Sequence, residues 1–108
     1  MSSTAAIPTM MEGDFGRAVR VRVVADGEPV TLVGATTRQI ILRRISPAGV
    51  TTRTLTAAFV TDGSDGLLSA TPADATVLTP AGAWEIQARV AGTGFDWRTD
   101  WAPFAVKA

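Results

Sequence analysis

Valine and arginine alternate through residues 19–23, with Val19, Val21 and Val23 on one parity and Arg20 and Arg22 on the other. A period of two is that of a half-buried strand, apolar side to a core and charged side to water. Read along the chain, the same test predicts a first strand over 17–24 and a second over 38–45. In the second the phase is ambiguous, because Ile40 and Leu42 share one face and Ile41 and Ile45 the other. We expect Ile40 and Leu42 inward. Residues 50–60, rich in Thr and Val, should fold back on that strand as a hairpin, and LLSAT should add a short strand. The cleanest pattern is 83–90, with Trp84, Ile86, Ala88 and Val90 inward and Glu85, Gln87 and Arg89 outward. The last strand, 96–108, is interrupted at Pro103 and should turn Phe104 and Val106 inward.

Turn residues separate these runs. Asp26-Gly27 and SPAG at 46–49 suit tight turns, since glycine accepts positive φ cheaply and proline suits the second place of a type I turn. Residues 30–36 read as an extended connection whose Val30 and Leu32 plug the core. TDGSDG at 61–66 reads as a loop. Residues 72–82, with a proline near each end, read as a connection with room for one helical turn. No helix of three turns can be written. About seven short strands with turns every 8–12 residues predict an all-β, immunoglobulin-like antiparallel sandwich over 16–108. Residues 1–15 lack clean periodicity and read as an N-terminal arm, either disordered or laid on a neighbouring subunit through Ile7, Met10 and Met11.

Composition narrows the chemistry. The chain has 108 residues, enough for one domain with its own core. Ten basic and ten acidic residues cancel, which argues against general nucleic-acid binding, a mode that needs a basic excess. No apolar run approaches the roughly 20 residues that span a bilayer, and the first residues do not read as a secretory signal. Cysteine and histidine are absent. That removes the commonest general base, the usual zinc ligands and most nucleophile dyads. An enzyme built on Asp62, Asp65 or Asp100 has no paired constellation behind it. We expect no catalytic residue, no cofactor and no metal; two aspartates in TDGSDG fall short of a calcium-loop pattern.

Two surface features remain. Arg17, Arg20, Arg22, Arg43, Arg44 and Arg53 lie on early strands, and neighbouring strands would gather them into one basic face for acidic partners. The alternative is a solvated face whose charges block edge aggregation. Trp97 and Trp101, four apart, should share a strand face. They are out of phase with Phe104 and Val106 unless a bulge at Pro103 returns them to the core. Exposed tryptophans suit protein interfaces or sugar stacking.

The run VVADGEPVTLVGATTRQIILRR, the SPAG turn, the stretch PADATVLTPAGAWEIQARV and the closing Pro103, Phe104 and Val106 together resemble the N-terminal domain of phage baseplate upper proteins. The resemblance covers about residues 16–107. It implies a small immunoglobulin-like virion module, made in the host cytoplasm and without catalytic residues. The expected function is a non-enzymatic adaptor or decoration module of tail, baseplate or head. Its expected partners are other virion proteins, and it should form a homo-oligomer or stand as symmetric copies in a larger assembly, with no nucleic acid or membrane. Ile7, Met10, Met11, Arg20, Arg22, Trp97 and Trp101 are the candidate partner contacts. The alternative is a carbohydrate-binding or adhesion module in which the tryptophans stack on sugar rings.

Overall fold

The computed structural model describes residues 10–25, 28–74 and 76–108, and the backbone of 2–5. Its strands are β1 (Ser2–Ala5), β2 (Met10–Met11), β3 (Val19–Ala25), β4 (Glu28–Pro29), β5 (Thr37–Ser46), β6 (Gly49–Thr56), β7 (Ala58–Phe59), β8 (Leu67–Ala70), β9 (Gly82–Gly92), β10 (Phe95–Arg98) and β11 (Ala102–Lys107). They form an all-β sandwich of two sheets. One has the order β1-β3-β8-β7 with β4 beside β3; the other has β2-β11-β9-β5-β6 with β10 beside β9. All pairs are antiparallel except β2 with β11.

The alternating parities meet between the sheets. Val19, Val21 and Val23 from β3 and Leu68 from β8 face Ile40 and Leu42 from β5 and Trp84, Ile86, Ala88 and Val90 from β9, all buried. Leu32 closes this core as expected, with Val30 half-buried against it. Burial of so much apolar area is the main force holding the two layers together. The phase of β5 is the expected one: Ile40 and Leu42 are fully buried, whereas Ile45 is 59% exposed. Trp84 is buried, and its indole N–H donates to the Pro80 carbonyl at 2.9 Å, so its one polar atom is satisfied. Val106 is buried and Phe104 packs against the core. Ser46 and Gly49 pair across the β5–β6 turn, where Gly49 takes a φ of 132°.

Three expectations change. The segment read as an arm supplies two strands: β1 pairs with β3, and β2 pairs with β11. Residues beyond β2 are tied down as well. The amide of Glu12 donates to Lys107, that of Gly13 to Leu78, and the Glu12 carboxylate accepts from the amide of Ala81. Second, residues 50–60 are not one strand. The chain leaves the larger sheet at Ala57, a small buried residue whose amide donates to the Arg38 carbonyl, and enters the smaller sheet as β7. Third, the register changes ahead of Pro103, not at it. Five residues from Arg98 to Ala102 oppose four from Arg89 to Ile86, the extra residue of a β-bulge. Thr99 fixes the bulge: its amide donates to the Ala88 carbonyl and its hydroxyl accepts from the Ala88 amide. Residues 76–78 form a turn in place of the helical turn expected there, and Leu78 is buried.

Gly66 shows how closely the smaller sheet is assembled. Its carbonyl accepts from the Val23 amide, and its φ is 72°. A Cβ there would stand 2.7 Å from the Val23 carbonyl oxygen and 2.8 Å from that of Val30, so only glycine fits against these two backbone segments.

Candidate docking surface

The sandwich sorts the candidate residues by parity and edge. Ile7 lies outside the described residues. Met10 is fully buried in this chain's own core, so it is not available to a neighbour; its sulfur also accepts a bond from the Arg17 guanidinium at 3.2 Å. Met11, on the opposite parity of β2, is 45% exposed. Arg20 and Arg22 lie on the outer face of the smaller sheet, opposite Ser69 and Leu67 of β8, and both are exposed.

The bulge at 99–101 separates the two tryptophans. Trp97 pairs with the inward-facing Val90 position, is 38% exposed, and lies against Phe95 at 4.9 Å between ring centroids with the rings tilted by 39°. Trp101 is on the other parity, and the Arg43 guanidinium lies 3.8 Å above its ring. The expectation of one shared face is therefore corrected: the extra residue turns the chain over between them.

The arginines do not form one basic face either. Arg43, on the outer face of the larger sheet, bonds to Glu85 at 3.0 Å while stacking on Trp101. Arg89 on the same face makes two bonds to Asp96, at 3.1 and 2.9 Å, and one to Gln39. That fork holds the Asp96 carboxyl below its ordinary pKa and raises the Arg89 guanidinium. Arg38 and Arg44 share the inward parity of Ile40 and Leu42, one beyond each end of that apolar pair. Their stems lie in the sandwich, and in both the Nε is buried without a partner among the described residues. Sequence reasoning passed over Arg38. The signal was its place two residues before Ile40, on the same parity.

TDGSDG is a turn held by its own aspartates. Asp62 accepts from the hydroxyl and amide of Ser64, which lower its carboxyl pKa, and Asp65 accepts from Thr61 and from the amide of Leu67. Among the described residues no three acidic groups converge as a metal site would require.

Two features of the surface remain open. The first is the outer edge of β6, which among the described residues is paired only with β5. Beside it Ile45 and Val50 stand opposite each other across the hairpin, 59% and 62% exposed. The second is a groove of about 580 Å³ where the chain passes from β6 to β7; Arg20, Arg38, Thr56, Phe59, Ser69 and Thr71 are among its lining residues. No family model, curated protein or solved structure matches this chain.

Proposed function

We propose that this chain is a non-enzymatic structural module of a phage virion, an adaptor or decoration domain that docks onto other virion proteins. The observation that carries the docking reading is the open edge of β6 beside the exposed Ile45–Val50 pair. An unpaired eight-residue edge presents a row of backbone donors and acceptors, and natural sheets usually protect such edges with charge, proline or a bulge. Here β6 carries one charged residue, Arg53, and no proline. An edge left open beside exposed apolar side chains suits a protein partner. The virion as the setting rests on the resemblance of the turn and core residues to the baseplate upper protein domain.

A sugar platform draws on the same aromatics but is less well supported. Stacking on a saccharide needs free ring faces side by side, whereas Trp97 and Trp101 stand on opposite parities and Arg43 covers Trp101. Mass spectrometry of purified particles made by the genome that encodes this chain tests the proposal. Stoichiometric copies in the particle are expected. A chain abundant in the infected-cell lysate and missing from particles would overturn the virion reading.

A further inference from the structure

The groove at the β6–β7 crossover combines three properties. Among the described residues it holds two guanidinium groups and no carboxylate: Arg20 from β3 and Arg38 from β5 both line it, and the other described lining residues are apolar or carry a hydroxyl. Neither cation meets an acid among the described residues, where the ion pairs are Arg17–Asp14, Arg43–Glu85 and Arg89–Asp96. Arg38 is fixed in place nonetheless. Its stem runs inward, its guanidinium lies 4.6 Å from the Phe59 ring centroid, and a terminal nitrogen reaches the Ala35 carbonyl at 3.5 Å. Held in this way, the guanidinium has its Nε buried, and its terminal nitrogens are the donors left to meet a ligand.

The third property is a free backbone position at the end of β8. Among the described residues β7 pairs with β8 at Leu68 and Ser69; beyond them Ala70 turns its backbone groups to Val19 of β3, and Thr71 turns its own toward the groove. A backbone donor and acceptor and two arginines therefore line one groove. Thr56, Ser69 and Thr71 add hydroxyls, which serve a carboxylate as donors.

We propose that this groove binds an acidic segment of a partner protein, with Arg20 and Arg38 taking its carboxylates and the Thr71 backbone at the end of β8 meeting its main chain. This deepens the docking reading above and rests on it. Charge complementarity carries the choice of occupant: an electroneutral protein leaves two unneutralised cations together in one groove with no acid lining it. Planar guanidinium groups pair with carboxylates in a way that ammonium groups do not.

The test titrates the full chain, ¹⁵N-labelled, with a blocked hexaglutamate peptide, a blocked hexaglutamine peptide and inorganic phosphate at matched ionic strength. Hexaglutamate should shift the amides of residues 56–60 and 69–71, and hexaglutamine should not. R20Q, at an exposed position, should weaken binding about tenfold, the scale of one lost charged contact. R98Q, which removes the same charge from exposed β10, should change it less than about twofold. R20Q/R38Q should abolish the shifts while the remaining spectrum stays that of a folded sandwich; R20Q alone suffices if that double variant fails to fold. Equal shifts from phosphate, with no added effect of the peptide, would overturn the proposal in favour of a small-anion site. So would hexaglutamate shifts elsewhere, or none at millimolar peptide. A chain present in particles but silent to hexaglutamate would remove the groove and leave the virion reading standing.

Discussion

Arg43 and Arg38 stand on the same strand, five residues apart, and meet opposite fates. Arg43 faces outward, bonds to Glu85 across the strand and covers the Trp101 ring. Arg38 faces inward beyond the last buried apolar residue, and its head lies over Phe59 in the groove that Arg20 also lines. One arginine is neutralised within the fold; the other is held in position with donors to spare. The difference is parity, because a strand turns alternate residues to opposite environments. A count of charges cannot see it, and the zero net charge conceals an uncompensated pair.

The first way to break this comparison is to remove the framework common to both arginines. Trp84→Ala deletes the largest buried side chain and should cost about 3–5 kcal/mol in urea unfolding. Since β9 carries Glu85 and pairs with β5, both arginine sites should be lost in one transition; separate transitions would show that the two regions are not one cooperative unit. A smaller effect sharpens the contrast. Arg43→Ala loses a partly exposed ion pair and a ring contact, and after solvent screening should cost about 1 kcal/mol, with a change in tryptophan emission as Trp101 is uncovered. Arg20→Gln should leave stability within about 0.5 kcal/mol of the parent, because among the described residues Arg20 has no acidic partner that its removal would orphan. A cost equal to that of Arg43→Ala would contradict the division between paired and unpaired cations.

The arginine pairings were the part of the molecule least legible in the sequence. Strand parities were legible, because alternation over β3, β5 and β9 reports directly which residues are buried. The tryptophans were misread because a bulge inserts one residue, and one residue reverses every parity that follows. Thr99, which fixes the bulge through the Ala88 backbone, carries no distinctive pattern of its own. The N-terminal segment was misread for a related reason. A two-residue strand is too short to show a period, and Met10 is buried by residues nearly a hundred positions away in β11. The groove had no linear signature at all, since β3, β5, β7 and β8 meet there only after the chain changes sheets at Ala57.

The smallest expected effect concerns pH. Asp62, Asp74 and Asp96 all titrate below their ordinary value of 3.8, held there by Ser64, Thr76 and Arg89 respectively. A carboxyl whose folded pKa is depressed stabilises the fold above its unfolded pKa, and that contribution is lost as pH falls through the folded pKa. With no histidine in the chain, thermal stability should be flat from about pH 5 to 9 and decline only below about pH 4. Asp96→Asn should lessen the acid decline and release Arg89. A midpoint of loss near pH 6 would contradict this assignment.

The most direct measurement is a cryo-EM reconstruction of the particle at side-chain resolution. Density is expected for this sandwich with an acidic segment of a neighbouring protein in the groove at the end of β8, its carboxylates against Arg20 and Arg38. A sandwich whose groove opens to solvent, with its neighbours seated on another face, would contradict it.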